Sequence, residues 1–122
     1  MGVICFSIEN INTNPLPQLG YGTGTAWYKK TDSDINRELV DAAKTAVKLG
    51  YHHLDGAEVY PTEPELGKAI AGSGLPRDQL FVTTKVNQNV ADIPAALDAS
   101  LKKLGLDYVD LYAFQPAPRP QG

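Results

Sequence analysis

The stretch GYHHLDGAEVYPTEPELGKAI, residues 50–70, predicts a short buried strand, a turn and the start of a helix. The strand is Tyr51–Asp55, an apolar and aromatic run that has a glycine on each side. Thr62 and Glu65 have the spacing of a capping box, which predicts the beginning of a helix. Pro64 is compatible with that first turn, because the N–H groups there have no partner within the helix. A strand followed directly by a helix is the repeating unit of parallel α/β folds.

Strands and helices alternate on both sides of this stretch. Further strands are predicted at Gln18–Gly22, Leu80–Lys85 and Tyr108–Phe114, and helices from about Asp34 to Leu49 and from about Asp92 to Leu104. The first of these helices has an apolar face made of Ile35, Leu39, Ala42, Ala43, Ala46 and Leu49. Alternation at a repeat of roughly 30 residues indicates βαβ units and a parallel sheet. Two architectures fit this pattern, a doubly wound sheet and a (β/α)8 barrel.

A glycine-rich segment, residues 20–24, invites comparison with a dinucleotide-binding fingerprint. It lacks the third glycine at the G-x-G-x-x-G spacing, and no helix opens directly from it. Trp27 and Tyr28 interrupt the sequence that follows. The segment is therefore a weak candidate for a Rossmann-type site.

Composition and charge narrow the class of protein. With 43% hydrophobic residues among 122, the chain has enough apolar side chains for a packed core. The formal net charge of -3 disfavours nucleic acid as a partner, since no basic face is available to neutralise phosphates. The single cysteine, Cys5, cannot form an internal disulfide, and no Cys/His cluster predicts a metal site. No apolar run is long enough to span a membrane and no signal-peptide pattern is found, so the expected location is the cytoplasm.

Three polar side chains fall at strand ends, where the active sites of parallel α/β folds lie. Asp55 ends one strand, Lys85 ends the next, and Tyr60 follows Asp55 in the turn before the helix. An ammonium stabilises the phenolate of a nearby tyrosine, and a carboxylate offsets the cost of burying that ammonium, so together the three would form a general acid. Taken singly, each residue also fits an ordinary turn, rim or strand-end position. His52 and His53 lie inside a predicted strand and are expected to be structural.

Residues 50–70 resemble the signature of the aldo-keto reductase family, GY-x-H-[IL]-D-x-A-x-x-Y-x-N-E-x-x-[VL]-G-x-AI. Three flanking segments resemble further parts of the family pattern: Leu19–Thr23 its opening LGxGT strand, Phe81–Val86 its third strand, and Ser100–Tyr112 its SLxxLGLDYVDLYLIH run. The resemblance extends from about residue 15 to residue 112. It implies a (β/α)8 TIM barrel, of which this chain would cover roughly the first four β/α units. Residues 1–112 would then be the N-terminal half of the domain.

The resemblance also implies an activity, an NAD(P)H-dependent carbonyl reductase. Hydride would pass to an aldehyde or ketone while Tyr60 protonates the carbonyl oxygen, with Asp55 and Lys85 tuning Tyr60. The expected cofactor is NADPH, with NADH as the alternative, and Trp27 would line the substrate mouth. The cofactor-binding residues would be Gly22, Thr23, Asp55 and Lys85.

The chain departs from the family pattern in several places. Gln115 stands where the family has a histidine at the end of the fourth strand, and Thr62 replaces the usual asparagine. Residues 113–122 hold three prolines and are expected to form a divergent tail. In the family, later strands and loops hold most of the cofactor's phosphates. The alternative function is therefore an inactive, truncated fragment that aggregates, or that associates with a full-length relative through open sheet edges. A third interpretation makes Lys85 a Schiff-base nucleophile.

Overall fold

The computed structural model describes residues 4–6, 19–30 and 34–116. Within these ranges the chain forms one five-stranded sheet with three α-helices. The strands are β1 (Ile4–Phe6), β2 (Gly20–Gly22), β3 (His53–Asp55), β4 (Phe81–Val86) and β5 (Leu111–Phe114). The helices are α1 (Arg37–Lys48), α2 (Glu63–Gly72) and α3 (Ile93–Leu104).

The order of the strands in the sheet is β1-β5-β4-β3-β2. Strands β2 to β5 are parallel, and each helix connects one of them to the next, which confirms the prediction of βαβ units. Strand β1 pairs antiparallel with β5 and was not predicted. The register sets Gly22 opposite Asp55 and Asp55 opposite Thr83, so the carboxyl ends of the parallel strands gather at one edge of the sheet. The predicted divergent tail, residues 113–122, lies only partly within the described residues, which end at residue 116, and its first two residues belong to β5.

Helix α1 is shorter than predicted, and its buried face is rotated. Asn36 caps it, because its side chain accepts a hydrogen bond from the backbone N–H of Leu39 at 3.2 Å. The chain leaves the helix after Lys48, and Leu49 is 74% exposed rather than part of the core. The prediction that Leu49 belongs to the apolar face was wrong, because the helical periodicity that defines this face ends with the helix at Lys48. The buried residues of the helix are Leu39, Val40, Ala43, Ala46 and Val47.

Helix α2 begins where the sequence predicted, but the capping box does not form. Thr62 precedes the helix and its side chain makes no cap hydrogen bond. Its hydroxyl instead donates to Oγ1 of Thr23 at 2.9 Å. Glu65 Oε1 accepts from the backbone N–H of Asn36 at 2.9 Å and from Lys29 Nζ. The hydroxyl of Thr62 and the carboxylate of Glu65 are thus paired with neighbouring segments at a buried location, where polar groups need a partner.

Helix α3 has the boundaries that the sequence predicted. Asp92 accepts a hydrogen bond from the backbone N–H of Ala95 at 3.1 Å, and Gly105 ends the helix in the left-handed region at φ 67°. Helices α2 and α3 pack closely, since a Cβ atom on Gly67 would lie 2.5 Å from the carbonyl oxygen of Leu104. The main core lies between the sheet and the helices and includes Val47, Leu54, Leu66, Ile70, Leu80, Val82, Val86, Ala96, Leu104, Val109 and Tyr112. In the described part of the chain, no helix has the length and apolar character that crossing a membrane requires.

Candidate active site

The three polar residues predicted from strand ends come together at the carboxyl edge of the sheet. Lys85, near the end of β4, donates a hydrogen bond from Nζ to Oδ2 of Asp55, the last residue of β3, at 2.7 Å. Its ammonium also donates to the carbonyl oxygen of Gly56 at 3.0 Å. The same Nζ atom lies 5.2 Å from the centroid of the Tyr60 ring. One carboxylate, one ammonium and one phenol therefore form a single cluster.

Burial makes the pairing of Lys85 with Asp55 necessary. The side chain of Lys85 is 10% exposed and that of Asp55 is 31% exposed. A nearly buried ammonium is costly unless a counter-charge and hydrogen-bond acceptors replace the water it has lost. Asp55 and the carbonyl of Gly56 supply both, while the carboxylate keeps part of its surface in contact with solvent.

Tyr60 is held from three sides. Its backbone N–H donates to the carbonyl oxygen of Ala57 at 3.1 Å, and its own carbonyl accepts from the N–H of Lys29 at 3.4 Å. Its ring lies against the loop after β2, where a Cβ atom on Gly24 would be 2.9 Å from Cζ of the ring. Its hydroxyl accepts a long hydrogen bond from Nε2 of Gln115 at 3.5 Å. The ring is thus confined between the segments that follow β2, β3 and β5.

Gln115 is the residue that stands at the histidine position of the family pattern. It follows β5 directly, and its backbone N–H donates to the carbonyl oxygen of Val86 at 2.9 Å. Its Oε1 atom is buried and has no hydrogen-bond partner among the described residues. A carboxamide with one free acceptor therefore lies beside the hydroxyl of Tyr60.

The predicted cofactor residues on β2 lie next to this cluster. Gly22 pairs with Asp55 across the sheet, and a Cβ atom on it would meet nothing within 4 Å. Thr23 is fully buried, and its N–H and its hydroxyl both donate to the carbonyl oxygen of Asp55 at 3.0 Å. Trp27 lies half-buried in a short 3-10 helix, Thr25–Trp27. Contact of these residues with a cofactor or substrate stays a prediction.

The sequence model of the aldo/keto reductase family matches residues 18–118 of the chain. The chain belongs to the aldo/keto reductase family. It is 50% identical over 104 residues to the NAD/NADP-dependent indole-3-acetaldehyde reductase of Schizosaccharomyces pombe, a match that covers 84% of this chain and 37% of that protein. It is 45% identical over 108 residues to the NADPH-dependent alpha-keto amide reductase of Saccharomyces cerevisiae, covering 83% of this chain and 35% of that protein. The chain thus spans little more than a third of the length of these relatives.

Solved aldo/keto reductase structures share the fold. The enzyme of Brucella melitensis superposes with a TM-score of 0.67 at 43% identity, covering 91% of this chain and 41% of that one. The Bombyx mori aldo-keto reductase, solved in complex with NADP, gives a TM-score of 0.69 at 39% identity, covering 89% of this chain and 36% of that one. These comparisons confirm the predicted fold class, a TIM-barrel family of which this chain covers roughly the first four β/α units.

In the segment that follows β3, two buried or partly buried carboxylates were not singled out from the sequence. Glu58 accepts hydrogen bonds from the backbone N–H groups of Asn87, Gln88 and Asn89 and from the Asn89 side chain. Burial tends to raise the pKa of Glu58, but these hydrogen bonds outweigh it and lower the pKa below its usual value. Glu58 thereby fixes the loop that follows β4. No sequence signal reveals this contact, because its partners lie about 30 residues away.

Glu63, the first residue of α2, is the second such carboxylate and is 1% exposed. Its Oε2 atom accepts from the hydroxyl of Thr84 at 2.7 Å, and its Oε1 atom accepts from Ser100 at 3.1 Å. Burial raises the pKa of Glu63, although both hydroxyl donors oppose the change. Burial also raises the pKa of nearby Tyr112 to about 12, with the charges of Glu58 and Glu63 as further causes.

His53 contributes to packing within the sheet. His53 Nε2 lies 2.8 Å from the hydroxyl oxygen of Thr83, and its ring meets Phe81 edge to face at 5.0 Å between centroids. Burial lowers the pKa of His53. Among residues 4–6, 19–30 and 34–116, no group of three or more His, Cys, Asp or Glu side chains is arranged to hold a metal ion.

Proposed function

We propose that the protein is an NAD(P)H-dependent oxidoreductase that reduces aldehydes or ketones to alcohols, with Tyr60 as the general acid. The observation that supports this most directly is the position of the Lys85 ammonium, 2.7 Å from Asp55 Oδ2 and 5.2 Å from the centre of the Tyr60 ring. The names of the yeast relatives, an indole-3-acetaldehyde reductase and an alpha-keto amide reductase, point to carbonyl compounds as their substrates.

The residues at this edge fit a nicotinamide cofactor. The space beside Gly22 is open, and its register partner Asp55 offers a carboxylate that is partly exposed. We therefore propose Gly22, Thr23, Asp55 and Lys85 as the cofactor-binding residues. NADPH is the proposed cofactor, with NADH as the alternative, in line with the names of the relatives and the NADP complex of the Bombyx mori enzyme. When bound, this cofactor supplies the hydride that reduces the carbonyl carbon.

The chain's own residues supply the proton. The hydroxyl of Tyr60 donates its proton to the carbonyl oxygen, which becomes the oxygen of the alcohol. The ammonium of Lys85 stabilises the phenolate that is left, and Asp55 holds the ammonium in place.

Trp27, half-buried in the loop after β2, is proposed to line the substrate mouth. The proposed location is the cytoplasm, on the sequence grounds given above.

A Schiff-base role for Lys85 is less well supported. Its Nζ atom donates hydrogen bonds to a carboxylate and to a carbonyl oxygen, the pattern of an ammonium held in place. A Schiff-base nucleophile needs a free lone pair directed at the substrate. Borohydride reduction in the presence of a carbonyl substrate would trap a covalent adduct at Lys85 only if this role were correct.

A second candidate function is association without catalysis. Strand β2 lies at an edge of the sheet with its residues mostly exposed, and Leu19 beside it is 68% exposed. An open parallel edge next to an apolar side chain favours pairing with a second chain, either another copy or a full-length relative.

The test of the proposed function is aldehyde-dependent oxidation of NADPH by the longest expressed form of the protein. Tyr60→Phe should lower turnover by at least ~10²-fold, the usual contribution of a general acid. Tyr51→Phe is the matched control, because Tyr51 is 38% exposed and precedes β3, at the opposite end of the strand from Asp55. Wild-type turnover in Tyr60→Phe would refute the assignment of the acid. A folded wild-type protein without turnover, but with self-association in light scattering, would favour the second candidate.

A further inference from the structure

Glu63 is a buried carboxyl group that the proposed chemistry does not use. It lies at the first position of α2, between β4 and α3, and both of its oxygens accept hydrogen bonds from hydroxyl groups. An apolar side chain would fill the same space without the cost of removing a carboxyl group from water. A hydrogen-bonded carboxyl group, in contrast, links neighbouring elements at a defined distance and in a defined direction.

The link joins two positions that are next to the catalytic cluster in the chain. Glu63 follows Tyr60 by three residues, and its partner Thr84 immediately precedes Lys85 in β4. Successive side chains of a strand leave opposite faces of the sheet, so Thr84 meets α2 on one face while Lys85 meets Asp55 on the other. A displacement of the start of α2 relative to β4 would therefore move Tyr60 relative to Lys85.

We infer that Glu63 is a positioning residue that sets the separation between the Tyr60 ring and the Lys85 ammonium through its hydrogen bond to Thr84. The inference rests on the proposed function, in which Lys85 stabilises the phenolate of Tyr60. The second hydrogen bond, from Ser100, anchors the same carboxyl group to α3 but has no direct connection to Lys85. The two hydroxyl partners therefore have different roles, although both are buried.

This difference gives a matched set of variants. Glu63→Ala removes the link, and Thr84→Val removes it while keeping the shape of the side chain. Glu63→Gln keeps an acceptor and adds a donor, so it can still bind a hydroxyl on each side. Ser100→Ala removes only the anchor to α3, and Glu38→Ala is an exposed control in α1.

Three measurements are made on each variant: kcat and KM for aldehyde reduction with NADPH, the nuclear Overhauser contact between the Tyr60 ring and the Lys85 side chain, and thermal unfolding. We expect Glu63→Ala and Thr84→Val to lower kcat by about tenfold or more, since small misplacements of reacting groups are costly. KM for NADPH should be unchanged, and the contact between Tyr60 and Lys85 should weaken. Glu63→Gln, Ser100→Ala and Glu38→Ala should keep wild-type kcat and the wild-type contact.

Two results would overturn the inference: unchanged kcat and Overhauser contact in Thr84→Val, or an equal loss of both in Ser100→Ala, which would mean that the cluster only stabilises the fold. If Glu63→Ala does not fold, Thr84→Val decides, because it removes a single hydroxyl group. If the wild-type protein does not reduce aldehydes, the proposed function fails while the Overhauser contact still decides whether Glu63 positions Tyr60.

Discussion

Gly24 lies directly against the face of Tyr60: a Cβ atom at residue 24 would come within 2.9 Å of the ring carbon Cζ. Real Cβ atoms essentially never approach another heavy atom that closely, so any side chain at residue 24 would displace the ring or the loop. The loop after β2 therefore holds the phenol in place through its contact at Gly24.

Gly24→Ala is expected to lower turnover by about tenfold to a hundredfold, because the phenol would be displaced from its position over Lys85. Steady-state kinetics with NADPH and an aldehyde would measure the loss. Ala26→Val is the control, since Ala26 is exposed in the same loop and can accept the larger side chain. Equal kinetics for Gly24→Ala and wild type would mean that the ring adjusts without cost.

Lys85→Met is expected to reduce turnover by about 10²-fold or more while changing NADPH affinity much less, because its charge acts on the phenolate in the transition state. Affinity is measured by fluorescence titration and turnover by NADPH oxidation. Lys68→Met, an exposed lysine on α2, should leave both unchanged. If the Lys85→Met variant binds NADPH poorly yet turns over normally when saturated, Lys85 is a binding residue and not a stabiliser of the phenolate.

The ion pair between Arg77 and Asp110, which lies away from the site, should contribute strongly to the free energy of unfolding. Arg77 Nη2 donates to Oδ2 of Asp110 at 2.7 Å, and the same oxygen accepts from the backbone N–H of Val82 at 2.8 Å. The side chain of Asp110 is 2% exposed, so Arg77→Met would leave a buried carboxylate without its counter-charge. We expect a loss of about 3–5 kcal/mol in the free energy of unfolding, measured by urea denaturation. Arg37→Met, on the exposed face of α1, should cost far less, and similar losses for both variants would contradict the role of the pair.

Stability should also depend on pH through Glu58. Its pKa in the folded protein lies below the usual value of 4.5, so the folded state binds fewer protons than the unfolded state in that range. Its contribution is therefore present above pH 4.5 and is lost as the pH falls through the folded pKa. Glu58→Gln lacks this contribution. The difference in the free energy of unfolding between this variant and the wild type, measured by urea denaturation, should therefore shrink toward acid pH. A constant difference for Glu58→Gln across this pH range would refute the assignment.

A polypeptide of these 122 residues alone is expected to bind NADPH weakly and to self-associate. The interior of a (β/α)8 barrel is filled by layers of side chains from alternate strands, and four parallel strands supply only half of each layer. Each apolar side chain left in water forgoes roughly 1.5–3 kcal/mol, and a few such losses equal the ~5–15 kcal/mol of a typical domain. Light scattering reports association, and Trp27, the single tryptophan, reports binding by fluorescence. A stable monomer with micromolar affinity and aldehyde turnover would disprove this expectation.

The alternation of strands and helices was predictable from the sequence because periodicity and end signals are local. The cluster of Asp55, Tyr60 and Lys85 was predictable for a related reason: parallel strands bring their carboxyl ends together whatever their side chains. The absence of the predicted capping box was not predictable. Thr62 donates its hydrogen bond to Thr23, 39 residues away, and sequence spacing carries no information on such distant partners.

Two other features depend on contacts between residues that lie even further apart in the sequence. The hydrogen bond between Gln115 and Tyr60 joins residues 55 positions apart, across strands whose register the sequence does not define. The antiparallel strand β1 was missed because its pairing partner, β5, lies at the other end of the described chain and leaves no signal in residues 4–6. In both cases the partner surface exists only once the sheet has formed.

Asp55, Tyr60 and Lys85 all come from one βαβ unit, β3–α2–β4, and so do Glu63 and Thr84 that connect them. During synthesis on the ribosome, which releases the N-terminal part of a chain first, this unit is complete as soon as β4 has emerged. The residues of the proposed acid are therefore all present in the chain before the polypeptide that follows β4 has been made, whereas Gln115, which binds the Tyr60 hydroxyl, and Ser100, which binds Glu63, come later. For protein engineering, the same unit is a natural segment to exchange between members of the family, since the proposed acid would move together with Glu63 and Thr84, while Gly24 and Gln115 would come from the recipient.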